Sequence, residues 1–270
     1  MIPPQTAGCM DLKNSSLKVK LRITDSFGKP ITDDDNVGLV CLPLQSMFSQ
    51  IDCTLQQTPV GQVGHNYPYK AYIDTLLSTR ESEQVLRASQ LYIKDNPGVD
   101  DPEVKSGMHT GLYRRSMYAN KGQIVEMEGP IHIDIFQQNR LLVSGVGLVL
   151  KLWPSKDGFR LISNEDDASC KVQVLDVSFN LCLQKPNASV LIAHTNLIKD
   201  SPAIYPYMNS NISVSSISKG QYAHSESHLF QGEIPSQLIV TLLESTSFGR
   251  VYKKTCFSSN RSIVILWLCT

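Results

Sequence analysis

The hydrophobic and polar positions of this chain alternate with a period of two over much of its length. Leu17, Val19, Leu21 and Ile23 are interleaved with Lys18, Lys20 and Arg22, the pattern of a strand with one face on a core and the other in water. The following Asp-Ser-Phe-Gly-Lys-Pro, residues 25–30, predicts a turn. Ile51, Cys53 and Leu55 alternate with Asp52 and Thr54, and Ile131, Ile133 and Ile135 alternate with His132 and Asp134, predicting two more strands of the same kind. Residues 146–153 read as a more continuously apolar strand. The clearest alternation sets Leu175, Val177, Phe179, Leu181 and Leu183 against Asp176, Ser178, Asn180 and Cys182. Ile212 with Val214, and residues 238–243, predict shorter strands.

Helical spacing is local. Asn66 stands where a helix cap would, with Pro68 in the first turn and Tyr69, Tyr72, Ile73, Leu76 and Leu77 as an apolar stripe. Residues 82–89 predict a second short helix, and residues 189–198 a third, after the break at Pro186 and Asn187. Strands outnumber helices and no strand-helix-strand rhythm appears. The expected class is therefore all-β with a few short helices, built as antiparallel sandwiches. Residues 95–106 form a polar loop, and a domain boundary is expected at 163–169, Ser-Asn-Glu-Asp-Asp-Ala-Ser.

Composition bounds the function classes. At 270 residues the chain corresponds to about 1.8 domains of ordinary size, long enough to bury roughly three quarters of its unfolded surface without staples. Lys and Arg number 25, Asp and Glu 25, so there is no cationic surplus for nonspecific phosphate binding, and neither a nucleic-acid nor a membrane-surface partner is expected. The 7 cysteines are odd in number and scattered, with no Cys-x-x-Cys pair; buried reduced thiols are expected rather than disulfides. No secretory leader opens the chain, so the sequons at Asn14, Asn187, Asn211 and Asn260 are expected to stay unmodified. The apolar run at 263–269 is far shorter than the ~20 residues that span a bilayer.

Candidate chemistry is sparse. His224 and His228 have i, i+4 spacing, but Ser225 follows the first, and the Ser- and Gly-containing surroundings predict solvated loop histidines rather than a metal site. His132 beside Asp134 has the composition of a general base with its orienting carboxylate, yet no nucleophile accompanies them; they are expected to form the polar face of their strand. Gly61 with Gly64, and Gly145 with Gly147, complete no phosphate-binding loop. Asp33, Asp34 and Asp35 read as solvated loop carboxylates ahead of a cation site. Lys18, Lys20 and Arg22 read as charges serving solubility or guarding a strand edge. Tyr67, Tyr69 and Tyr72 read as helix packing rather than a base-stacking platform. No catalytic, cofactor-binding or metal residue is expected, and an enzyme is not.

Five blocks in order carry a family resemblance: LVCLPLQSMFSQIDCTL (39–55), HNYPYKAYIDTLL (65–77), GPIHIDIFQQNRLLVSGVGLVLKLWPSKDGF (129–159), PNASVLIAHTNLIKDSPAIYP (186–206) and SHLFQGEIPSQLIVTLLESTSFGRVYKK (227–254). Together they resemble the hexon-type major capsid protein of Polinton or Maverick elements and the related adintoviruses. The resemblance implies a double jelly-roll, two eight-stranded sandwiches in tandem, three copies of which form a pseudo-hexagonal capsomer. The implied partners are copies of the chain itself and other capsid proteins; the implied location is the virion if functional, otherwise intracellular.

On that basis residues 1–163 are expected to form the first roll without its N-terminal segment, and 164–254 part of a second. Residues 255–270, TCFSSNRSIVILWLCT, do not resemble the family. The expectation is a truncated, endogenised copy with an incomplete second roll. A host-adopted jelly-roll that binds a protein or glycan is the alternative.

Overall fold

A computed structural model describes residues 1–5, 8–62, 64–79, 87–96, 101–164, 170–218, 221, 223–226, 235–243, 252–253, 257 and 264–269. Its strands are β1 (Cys9–Thr24), β2 (Val37–Leu39), β3 (Phe48–Leu55), β4 (Thr58–Gln62), β5 (Val125–Gly129), β6 (Leu148–Pro154), β7 (Leu161–Ser163), β8 (Lys171–Gln184), β9 (Asn211–Ser216), β10 (Leu238–Leu243) and β11 (Val264–Cys269). The helices are α1 (Pro43–Ser46), α2 (Tyr67–Ser78), α3 (Thr110–Ala119), α4 (Asp157–Arg160) and α5 (Ala188–Asp200). The fold is all-β and jelly-roll-like, with short helical excursions.

The described strands form four small sheets, ordered β5-β1-β8, β4-β3-β6, β2-β7 and β10-β11-β9, and every pairing in them is antiparallel. β1 is central, flanked by β5 and β8. Its Leu17, Val19, Leu21 and Ile23 are buried in the main core, which also takes Ile51 and Cys53 from β3 and Val125 and Met127 from β5. Burying such side chains contributes on the order of 1.5–3 kcal/mol each, and this shared layer holds the sheets together. On the wet face, the Lys18 and Lys20 ammonium groups both pair with Glu126, and Arg22 Nε donates to Gln173 Oε1 at 2.6 Å. Those cations therefore lie on an interior strand, tied to their neighbours, and do not guard an edge.

β8 follows the boundary expected near residue 163, yet it hydrogen-bonds along nearly the whole of β1, from Cys9 opposite Gln184 to Thr24 opposite Lys171. β11, from the stretch that does not resemble the family, is the middle strand of its sheet. Leu266 sits opposite Thr241 on one side and Val214 on the other.

α2 and α5 occur where spacing predicts them. Pro68 lies at the start of α2 and Thr79 N–H closes on the Thr75 carbonyl at 3.0 Å, but Asn66 makes no side-chain cap. Asn187 does cap α5, accepting from the Ser189 amide at 3.3 Å. The helix expected over 82–89 falls largely outside the described residues; 87–90 form one 3₁₀ turn. α3 and β5 had no strong periodic signal.

One expected strand is absent. After Gly129 the chain leaves the ladder, and Asp134–Phe136 form a 3₁₀ turn. Alternation misleads here because both faces are buried: Ile131, Ile133 and Ile135 enter the core, while His132 and Asp134 are equally enclosed on the other side. Side chains replace the missing ladder: the His132 amide donates to Tyr67 Oη at 3.2 Å, and its carbonyl accepts from Lys70 Nζ at 3.2 Å. Gly61, at φ 69°, lies close beneath this stretch; a Cβ there would come 2.5 Å from Ile133 Cγ2.

Candidate functional site

The most concentrated polar chemistry lies where α2, the 130–139 stretch and the segment leading into β9 meet. Lys70 projects from α2 with no exposed surface. All three of its protons are engaged, at 2.8 Å to Asp134 Oδ1, 3.0 Å to Asp74 Oδ2 and 3.2 Å to the His132 carbonyl. A buried ammonium is tolerated only when paired and fully hydrogen-bonded in this way. Asp134 is further held by Ser210, whose amide donates to Oδ2 at 2.8 Å and whose hydroxyl donates to Oδ1 at 2.9 Å. The cluster thus fastens the approach to β9 onto the first half of the chain.

His132 Nδ1 lies 3.4 Å from Asp74 Oδ2, and Gln137 Nε2 donates to the same oxygen at 3.0 Å. Burial holds the His132 imidazole below its ordinary pKa, with Asp74 opposing. Burial pushes the Asp74 carboxyl up, but His132 and Lys70 outweigh it and hold it below the usual carboxylate range. His132 and Asp134 are therefore not the wet polar face of a strand; Lys70, distant in sequence on α2, converts both into members of an enclosed network. The neighbouring Tyr67 hydroxyl donates to Gln45 Oε1 at 2.6 Å, and Gln45 Nε2 donates to the Pro130 carbonyl at 2.9 Å.

A second buried cation, Arg115 of α3, donates to the Leu39 carbonyl at 2.9 Å and the Ile93 carbonyl at 2.5 Å, and lies 2.6 Å from Asp95 Oδ1. His109 Nε2 approaches the same oxygen at 2.9 Å. This cluster clamps α3 and the 93–95 segment onto β2. Sequence pattern does not single out Lys70 or Arg115: the α2 stripe is read from its apolar residues alone, and no helix is predicted over Thr110–Ala119.

The other candidates are dispersed. His224 lies in an irregular segment with Nε2 3.8 Å from Glu226, and His228 is outside the described residues. Asp35 accepts from Thr32, while Asp33 faces Asn120 and Lys121, so the acidic run is divided between separate turns. Gly145, at φ 89°, serves a turn and donates its amide to the Gln5 carbonyl at 2.8 Å. Tyr69 packs edge-on to Phe159 at 5.7 Å, and Tyr72 stacks on Phe257 at 4.1 Å. Cys9, Cys41, Cys53 and Cys182 are free thiols; burial pushes those of Cys41 and Cys53 up to about 12, which makes them poor nucleophiles. Among the described residues no cluster of three His, Cys, Asp or Glu could hold a metal, and no helix is long and apolar enough to cross a membrane.

No family model matches the chain, and no curated protein matches it. Among solved structures, the chain is similar to one in the 3.5 Å cryo-EM structure of the Sputnik virophage, at 13% identity and a TM-score of 0.47, over 81% of this chain and 49% of that one. It therefore spans about half the length of that virophage chain.

Proposed function

We propose that this chain is a structural, hexon-like major capsid protein of a Polinton or Maverick type element, acting through self-association into trimeric pseudo-hexagonal capsomers and located in the virion. The observation that carries the proposal is the apolar surface left open on the second half of the chain. Ile192 and Leu197 of α5 are 64% and 62% exposed, and Val240 of β10 is 49% exposed. Leu175, Val177 and Leu183 of β8 are also exposed. Large apolar side chains left exposed in this number are suited to burial against another subunit. The five colinear sequence blocks and the all-β fold support the same role.

In this proposal residues 1–163 form the first roll and 164–254 contribute to the second, with β8 as the seam joining them. Within the stretch that does not resemble the family, Val264–Cys269 add β11 to the β10-β11-β9 sheet. Shape and subunit packing, with no catalytic step, are the chemistry of such a protein. Electron microscopy of the purified chain tests it. Particle averages with threefold symmetry are expected; a homogeneous field of single subunits at high concentration contradicts it.

A further inference from the structure

α2 and α5 are of similar length, yet the chain holds them differently. α2 buries Tyr67, Tyr69, Ala71 and Ile73 among others, whereas α5 buries no residue. Leu191 is half-buried and every other residue of α5 is exposed, although Val190, Leu191, Ile192, Leu197 and Ile198 make its sequence largely apolar. Among the described residues no hydrogen bond or ion pair leaves the segment 185–203. The side chains of Asn187, Thr195 and Ser201 bond only to backbone inside it.

The floor beneath α5 is also incompletely filled. One hollow of about 190 Å³ lies between Leu191, Thr195 and Ile198 of the helix and Cys9 and Val143 of the floor. A second, of about 230 Å³, lies between Leu197 and Ile198 on one side and Leu141 and Tyr205 on the other. Gaps of this kind forfeit the dispersion contacts of the atoms that line them, and a helix of this length without packing is only marginally stable in water. The chain on either side of α5 is fixed. Gln184 is paired with Cys9 at the end of β8. Beyond the helix, Arg140 Nη1 donates to the Ile204 carbonyl at 2.8 Å, and the Val143 amide donates to Tyr205 Oη at 3.0 Å.

We propose that α5 is a flap, lifting from the 140–144 floor as a unit while Gln184, Ile204 and Tyr205 stay anchored, and baring Leu141 and Val143 together with its own inner face. Local opening costs far less than global unfolding where few apolar contacts and no external hydrogen bonds resist it. The movement belongs to a single chain. Its use, which is to gate the apolar surface offered to a neighbouring subunit, rests on the self-association proposed above.

Amide hydrogen exchange of the full-length protein, followed by mass spectrometry, tests the flap. It is run at high dilution, where a neighbouring subunit cannot protect the helix, so the result is independent of self-association. Amides of α5 are expected to exchange at least about a hundredfold faster than those of α2. Thr195→Leu places a larger apolar side chain at the smaller hollow and is expected to slow exchange of α5 about tenfold. Asn196 is exposed and borders neither hollow, so Asn196→Leu, which raises helix propensity alone, is expected to slow it by no more than about threefold. Exchange of α5 as slow as that of α2, or equal slowing by the two leucine variants, overturns the proposal.

Discussion

Lys70 Nζ lies 2.8 Å from Asp134 Oδ1, and Ser210 binds both oxygens of that same carboxylate. One buried ion pair therefore connects α2, the irregular 130–139 stretch and the entry to β9. Replacing Lys70 by Met leaves Asp134 enclosed without its cation. The expected loss of stability is about 3–5 kcal/mol, read from urea unfolding of the variant against the parent. Asp134→Asn leaves one oxygen to accept from the Ser210 amide and leaves Lys70 its Asp74 partner, and is expected to cost less, about 2 kcal/mol.

Arg115 makes the equivalent prediction for the first half. Arg115→Met strips the Leu39 and Ile93 carbonyls and Asp95 of their donor, and a loss of about 3–5 kcal/mol is expected. Arg115→Lys is expected to recover only part of it, because an ammonium cannot reproduce the forked geometry that reaches two carbonyls and a carboxylate at once. Thermal unfolding of the two variants side by side checks the order.

Acid sensitivity follows from the same clusters. His132 is held below its usual value of 6.5 in the folded state, so the unfolded chain takes up its proton first as pH falls. The stability contributed by neutral His132 is present above 6.5 and is lost as pH drops below it toward the folded-state value. Asp74 and Asp95 are held below 3.8, so their contribution is present above 3.8 and is lost at more acid pH. Stability measured by denaturant titration is expected to be flat above neutrality and to fall in two stages. In His132→Gln the first stage is expected to vanish.

The strand β11 lies between β9 and β10, six residues paired on each side. Leu266→Pro removes an amide from the middle of that ladder. Hydrogen exchange at 211–216 and 238–243 is expected to accelerate together, while β1 and β3 keep their protection. Unchanged exchange at both flanking strands contradicts the central placement of β11.

Where one face of a strand meets the core and the other meets water, as in β1, the alternation of Leu17 to Ile23 with lysines was enough to predict the element. The same rule failed at Ile131, Ile133 and Ile135, because the intervening His132 and Asp134 are enclosed by Lys70. A pattern of two cannot distinguish water from a buried ionic partner brought in from 60 residues away. β5 was missed for a related reason: Val125 and Met127 are too few to show a period, and the β5 strand exists because β1 supplies its partner. His132 and Asp134 were visible as a chemically suggestive pair, whereas Lys70, Arg115 and Ser210 acquire their roles only through tertiary contact.

Self-association through the open apolar faces of β8, α5 and β10 is tested most directly by sedimentation velocity of the purified chain over a wide concentration range. The expected result is a species of about 90 kDa, three times the 30.0 kDa chain, which dissociates when Ile192 and Leu197 are both changed to Glu. A single 30.0 kDa species at every concentration, with no change on introducing those charges, contradicts a capsid subunit.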